Sequence, residues 1–202
     1  YNKCFKLEEL FLINNSGVKT DRDTLFIDSD KNKLKGSIEK LLIGDYDDKF
    51  KNKYRVVNSS SYKLTEKIKS KLFDEKYIEE IQYRPFDYQF IYYDPSVISR
   101  PGQKVFKHFI EKDNIGLITN RQITTNDWSY ALATKKINSH GTFYLGNKGQ
   151  DYLFPLYLYS EDGMKTPNLK TEIVSQIEKI VGKTTPEEIF DYIYALLHSP
   201  SY

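Results

Sequence analysis

The chain has 202 residues, with 30 Lys and Arg against 28 Asp and Glu, three His, one Cys, 17 Tyr and 12 Phe. This is a globular composition that excludes a disordered tail, and the lack of any 18-residue apolar run excludes a membrane-spanning helix. The single cysteine, Cys4, excludes an internal disulfide and suits the cytoplasm, while a formal charge of +2 decides nothing about nucleic acid, because a basic stripe can coexist with an acidic back.

In chain order, residues 5–13 and 24–28 read as strands around a turn at Asn14–Asp23, where Gly17 supplies freedom. Leu34, Ile38, Leu41 and Leu42 give 33–43 helical spacing, and Leu64, Ile68 and Leu72 do the same for 61–73. The polar stretch from Asp45 to Ser61 between them reads as a loop or irregular linker. Aromatic and β-branched residues crowd 77–94, which predicts one or two strands with Pro85 at an edge or bend. Residues 103–112 read as a helix with Val105, Phe106 and Phe109 on one side. Strands are expected at 114–119, 129–135 and 152–159, with 138–151 as a long glycine-bearing surface loop. Leu169, Ile173, Ile177, Ile180 and Val181 mark a helix ending near Gly182. Thr185-Pro186-Glu187-Glu188 is a capping box that opens a second helix. The expected fold is mixed α/β (α+β): a twisted, mostly antiparallel sheet with flanking helices over 1–160, then a C-terminal helical hairpin over 161–202 packed on it. A first residue that is Tyr1 rather than Met, and a stop at Tyr202 directly after an amphipathic pattern, read as ends cut from a longer polypeptide. No charged-then-apolar leader precedes the first strand-like segment.

Catalytic signatures are missing from the sequence. Asp94-Pro95-Ser96-Val97 approaches the Asp/Asn-Pro-Pro-aromatic motif of amino-methyltransferases, but it lacks the second proline and the aromatic that would stack on a flipped base. Gly141–Lys148 imitates a phosphate loop without the Gly-Lys pair or the Ser/Thr for magnesium. His108, His140 and His198 have no metal-ligand spacing with one another or with Cys4. Asp74-Glu75-Lys76 supplies only the short half of a nuclease motif. No glycine-rich strand-to-helix turn is present to seat S-adenosylmethionine. The chain therefore reads as non-catalytic, with no metal or cofactor site of its own.

Several stretches, taken in order, resemble one family. They are Ser16-Gly17-Val18-Lys19-Thr20-Asp21-Arg22-Asp23; Tyr83-Arg84-Pro85-Phe86-Asp87 with Ile91-Tyr92-Tyr93-Asp94; Ser99-Arg100-Pro101-Gly102; Asn114-Ile115-Gly116-Leu117-Ile118-Thr119-Asn120-Arg121-Gln122; Tyr152-Leu153-Phe154-Pro155-Leu156-Tyr157-Leu158-Tyr159; and Thr185-Pro186-Glu187-Glu188-Ile189-Phe190-Asp191-Tyr192. From about Gly17 to Tyr202 the chain resembles the C-terminal, target-recognition region of Type ISP single-polypeptide restriction–modification enzymes and related adenine-specific DNA methyltransferases. Each motif alone is weak, and their joint order is what is specific. The resemblance implies a module that chooses the DNA sequence. The methyltransferase, and the nuclease and translocase where present, would lie upstream in the same polypeptide, and S-adenosylmethionine and Mg would serve that parent enzyme. It also implies a prokaryotic, cytoplasmic setting. The family's catalytic motifs and cofactor-binding glycines do not occur in this chain.

Reading DNA needs donors and acceptors at base edges and cations along the backbone. Only five basic residues are arginine: Arg22, Arg55, Arg84, Arg100 and Arg121. Arg121, with Asn120 and Gln122, sits where a strand runs out into a polar loop. Arg suits guanine, and Asn or Gln suits adenine, whereas the competing reading has Asn120 and Gln122 satisfying loop backbone. Ser139 and His140 are further candidate base readers in the 123–150 segment. Lys19, Thr20 and Arg22 form a candidate phosphate clamp, unless Asp21 and Asp23 neutralise Arg22. Arg100, Lys104, Lys107 and His108 form a basic run at an expected helix start, where a phosphate would be favoured; a merely solvated face is the alternative. Arg84 reads as structural, paired with Asp87 or Asp94 in an aromatic shell. Trp128 and Tyr130 read as core or as base contacts. Against DNA recognition stands a structural or interaction domain that packs on the methyltransferase part without reading bases.

Overall fold

A computed structural model describes residues 6–120, 130–143 and 150–199. The expected strand at 5–13 is instead a one-turn helix, α1 (Leu7–Leu10), closed by the Lys6 amide donating to Glu9 Oε2 at 2.9 Å. Leu10 and Phe11 are both buried, and two adjacent inward side chains break the alternation a strand requires. A short strand β1 (Asn15–Ser16) follows. The expected strand at 24–28 divides into a helical turn, α2 (Asp23–Phe26), and a two-residue strand, β2 (Ile27–Asp28). Leu25, Phe26 and Ile27 are buried in succession, again without a period of two.

The helix read at 33–43 is α3 (Lys31–Ile43), capped by Asp30 through the amides of Asn32 and Lys33 and ended by Gly44 at φ +82°. The stretch expected to be irregular contains α4 (Asp48–Tyr54), capped by Asp47. An aromatic ladder at four-residue spacing, Tyr46–Phe50–Tyr54 with centroids 5.3 and 4.5 Å apart, explains the helix. The helix expected over 61–73 forms only the turn α5 (Leu64–Lys67), with Ser70 at φ +62° soon after.

The aromatic segment forms a hairpin of β3 (Ile78–Arg84) and β4 (Asp87–Tyr92). The helix read at 103–112 is the single turn α6 (Gln103–Phe106). Then come β5 (Gly116–Asn120), β6 (Ala131–Thr134), β7 (Ile137–Asn138) and β8 (Asp151–Pro155). The expected strand at 152–159 is cut at Leu156, so its second half, β9 (Tyr157–Tyr159), pairs instead with β10 (Lys165–Pro167). The chain closes with α7 (Thr171–Val181) and α8 (Pro186–Leu197). The Thr185 hydroxyl accepts from the Glu188 amide at 3.2 Å while Glu188 Oε2 accepts from the Thr185 amide at 2.7 Å, completing the expected box.

The fold is thus mixed α+β, but with two four-stranded sheets where one was expected. One has the order β2-β4-β3-β7, antiparallel except for the parallel pair β3–β7; the other is antiparallel, in the order β1-β8-β5-β6. The second sheet is the middle layer. Along its strands Ile118, Leu132 and Leu153 join the larger core with Leu34, Ile38, Ile81 and Ile91, while their neighbours Leu117, Ala131 and Phe154 join Ile173, Ile189, Phe190 and Leu197 of the C-terminal helices. Successive side chains on a strand point to opposite faces, so a sheet covered on both sides reads as an unbroken apolar run. In β5 the four residues Gly116–Thr119 are buried in succession, with Leu117 and Ile118 at their centre.

Buried Asn168 ties the layers. Its Nδ2 donates to the carbonyls of Ile13 (2.8 Å) and Pro155 (2.7 Å), and its Oδ1 accepts from the Ile13 amide (2.9 Å). Both polar atoms of this side chain are therefore engaged, in three hydrogen bonds, as a buried amide demands.

Candidate nucleic-acid interface

Three stretches remote in sequence meet where the two sheets adjoin. Val18 bridges Ser139 in parallel fashion: the Val18 amide donates to Asn138 O (2.8 Å) and the His140 amide to Val18 O (2.9 Å). Lys19 bridges Arg100 through a reciprocal amide–carbonyl pair at 3.1 and 2.9 Å. Gly17 permits the approach, since a Cβ there would lie 2.2 Å from Ser139 O and 2.6 Å from the His140 amide. The loops carrying Lys19, Arg100 and His140 are thereby held together by backbone hydrogen bonds.

The electrostatics of the junction are mixed. Lys19 Nζ pairs with Asp21 Oδ1 at 3.2 Å, and Ser99 Oγ donates to Asp21 Oδ2. Burial pushes the Asp21 carboxyl up, but hydrogen bonds from Ser99 and Lys19 and the charges of Lys19 and Arg100 bring it below its ordinary range. His140 goes the other way from a basic group's optimum: burial first, then Lys19 and Arg100, lower its pKa and keep the ring neutral near pH 7. Among the described residues its buried Nδ1 meets no hydrogen-bond partner, nor do Gln82 Oε1 and Asn138 Oδ1 from the paired positions of β3 and β7. Buried Asp151 joins the junction through its amide, which donates to His140 O at 3.4 Å, and its carbonyl, which accepts from the Gly17 amide. Burial raises its pKa to about 6 against hydrogen bonds from the Phe143 and Thr142 amides, the charge of Arg84 and the Asn120 amide.

The sequence-derived candidates separate on this framework. Arg100 is exposed and Lys19 half-buried, both on the junction. Thr20 and Arg22 turn inward. The Thr20 hydroxyl donates to Asp23 and accepts from the Arg22 amide. The Arg22 guanidinium donates to the carbonyls of Asp21, Arg55 and Val57 at 2.6, 2.6 and 2.9 Å and lies over the Tyr62 ring. Arg22 therefore holds loops together where a phosphate clamp was expected, and its donors go to main-chain carbonyls instead of to Asp21 or Asp23 carboxylates.

Ser139 is buried under Gly17, with its hydroxyl accepting from the Gly141 amide at 3.4 Å, so it braces the junction and does not present itself to a groove. Lys104 and Lys107 are exposed, but α6 is a single turn and offers no accumulated helix dipole. His108 leaves the basic run: it is buried, its Nδ1 accepts from the Tyr159 amide at 2.9 Å, and desolvation lowers its pKa.

Asn120 Nδ2 donates to Asp151 Oδ1 at 3.2 Å, at the end of β5. Arg121, Gln122 and Trp128 lie outside the described residues. Tyr130 packs edge-on against Phe143. Arg84 is stacked 3.9 Å over the ring of its neighbour Tyr83 and donates to Tyr83 O; among the described residues it forms no ion pair with Asp87 or Asp94, contrary to expectation. Gln82, Asn138 and Asp151, which organise the junction, escaped the sequence reading, because their partnership arises only from strand pairing far along the chain. Among the described residues no group of three or more His, Cys, Asp or Glu side chains gathers to hold a metal ion, and no helix is long and apolar enough to cross a membrane.

Comparison with known proteins adds the lineage. No curated protein matches the chain. The solved structure of the ATP-dependent Type ISP restriction-modification enzyme LlaBIII bound to DNA superposes with a TM-score of 0.75 at 20% identity, covering 98% of this chain and 13% of that one. A cryoEM DrdV–DNA complex gives 0.73 at 20% identity, with 98% and 20% covered. A nuclease-deletion mutant of the Type ISP enzyme LlaGI, in complex with a DNA substrate mimic, gives 0.67 at 17%, with 98% and 19% covered. At these identities the likeness is one of fold, and the chain spans a fifth or less of each of those proteins. A family model described as the Type ISP C-terminal specificity domain matches residues 9–202, and the chain belongs to that family.

Proposed function

We propose that this chain selects the DNA sequence on which a restriction–modification polypeptide acts. The observation that carries the reading is family membership over residues 9–202. The meeting of Lys19, Arg100 and His140 at one junction supports it from the geometry. In this reading Lys19 and Arg100 hold phosphates, with Lys104 and Lys107 as outlying cations. The neutral His140 ring contributes a hydrogen-bonding edge without adding charge. Arg121 and Gln122, which follow β5, are the base readers of this proposal, with Asn120 as their anchor on Asp151. The structures similar in fold are of enzymes bound to DNA or to a DNA substrate mimic, which supports duplex DNA as the partner. Adenine methylation with S-adenosylmethionine, any Mg-dependent cleavage, the upstream parts and the cytoplasmic setting belong to the proposal for the parent polypeptide. The chain's role there is to present the target.

The test is retention of duplexes from a randomised pool at low and moderate salt, with the retained sequences read out. An enriched motif, with affinity falling steeply as salt rises, is the expected result. Replacing both Lys19 and Arg100 by Ala should lower the slope of log affinity against log salt by about 2, one phosphate contact each, at unchanged motif. Absence of binding at low salt overturns the reading and leaves a domain that packs against its neighbours.

A further inference from the structure

The β3–β4 hairpin ends in a tip with no part in the proposed phosphate and base contacts. Its turn is Arg84-Pro85-Phe86-Asp87, with Arg84 and Asp87 paired across it. Phe86 is 84% exposed and has φ +60°. Each property alone is unfavourable. The left-handed region suits Gly or Asn and is strained for a bulky side chain, and an exposed phenyl ring gains nothing from burial. A glycine would satisfy this turn better on both grounds. The ring is also in company: Tyr88 is 52% exposed, and the Arg84 guanidinium is already stacked 3.9 Å over Tyr83.

The tip stands beside the junction. Gln82, two residues before Arg84, receives the Ser139 amide on its carbonyl at 3.0 Å. The charge of Arg84 is felt at Asp151, whose carbonyl in turn accepts the Gly17 amide at 3.0 Å. The strand that carries the tip is thus bonded directly to the Ser139 side of the junction, while Asp87, the carboxylate at the base of the tip, accepts from Gln89 Nε2. A protruding ring flanked by planar cationic and aromatic groups matches the faces of stacked bases and does not match a polar protein surface. We propose that Phe86 is a stacking wedge that enters the base stack of the bound duplex, with Arg84 and Tyr88 at its flanks. Apolar side chains inserted in this way unstack a base step and kink the duplex.

The inference rests on the proposed DNA-binding function, and its test separates the two. Phe86→Gly, Phe86→Ala and Phe86→Trp are compared with the parent chain on a duplex recovered from the randomised pool and carrying 2-aminopurine. Phe86→Gly should raise thermal stability by relieving the backbone, yet weaken DNA affinity roughly five- to hundred-fold, the range for losing one stacked aromatic. It should also abolish the fluorescence rise that reports an unstacked base. Phe86→Ala should weaken binding similarly without the gain in stability, and Phe86→Trp should keep both affinity and fluorescence. Parent-like binding and fluorescence in the Gly and Ala variants would overturn the wedge while leaving DNA recognition intact. If the parent chain itself fails to bind duplex at low salt, both proposals fall.

Discussion

The C-terminal helices and the loop junction around Gly17 are built on opposite plans. In α7 and α8 each local rule agrees with its neighbour: a capping box opens α8 with Pro186 in its first turn, Gly182 ends α7, and one face of each helix meets the sheet. At the junction local rules are broken. Asp21, and Phe86 on the adjoining hairpin, adopt positive φ, a glycine is wedged against a carbonyl, and three buried polar atoms have no hydrogen-bond partner among the described residues. Sequences specify structure through agreement between levels, and disagreement concentrates where function resides. The contrast separates a region that serves stability from the one to which the proposed function assigns contact with DNA.

The sharpest way to break that contrast is Gly17→Ala. With backbone atoms of Ser139 and His140 at 2.2 to 2.6 Å from the added carbon, no side chain can give way. The change should cost roughly 3 kcal/mol or more by overpacking, read as a lower urea midpoint. A cost near that of a surface substitution would mean the junction is loose.

Next in size is a pH effect. The folded-state pKa of Asp151 is about 6 against an ordinary 3.8. The folded chain therefore binds the proton more tightly than the unfolded one between those values, and this group's contribution falls as pH rises from about 4 to about 6. The full linkage is about 3 kcal/mol at most. His108 and His140, with lowered pKa values, act in the opposite direction below their ordinary 6.5, so the comparison must be a difference. Parent minus Asp151→Asn stability, measured by urea titration across that window, should decline as pH rises; a flat difference would show the carboxyl to be solvated.

The smallest effect belongs to the regular region. Thr185→Ala removes the acceptor for the Glu188 amide and should cost about 1 kcal/mol, seen as a modest drop in thermal midpoint with DNA affinity unchanged. A loss as large as that of Gly17→Ala would erase the distinction between the two plans.

The same division governs what was legible beforehand. The apolar spacing of Leu34, Ile38 and Leu41 and the Thr185 box are local signals, and α3, α7 and α8 formed as expected. The hairpin at 78–92 was announced by its aromatic and β-branched density. Failures came where tertiary packing overrode a short pattern. Residues 5–13 and 24–28 bury adjacent side chains, and Leu64, Ile68 and Leu72 gave helical spacing to a segment that keeps one turn and leaves Leu72 exposed. At the site, Lys19, Arg100 and His140 were each chosen for residue type in separate loops. Their meeting depends on bridges spanning about 80 and 120 positions, which no local pattern encodes. The inward placement of Arg22 is illegible for the same reason, because the carbonyls that hold it belong to residues 55 and 57 as well as 21.

Asn168 carries a further consequence, for cooperativity. Its amide joins Ile13 near one end of the chain to Pro155 on the central sheet, and its own backbone exchanges hydrogen bonds with Leu156 and Leu12 at 2.8 and 3.1 Å. Opening the C-terminal segment at this point strands the polar groups of both the opening segment and the N-terminal one, so neither can peel away alone at small cost. Backbone amides of Leu12, Ile13 and Asn168 consequently belong to one opening unit and should share one protection factor in hydrogen exchange, although the first two lie about 155 positions from the third. The segments around Leu12 and Asn168 and the middle layer are, in this sense, a single foldon.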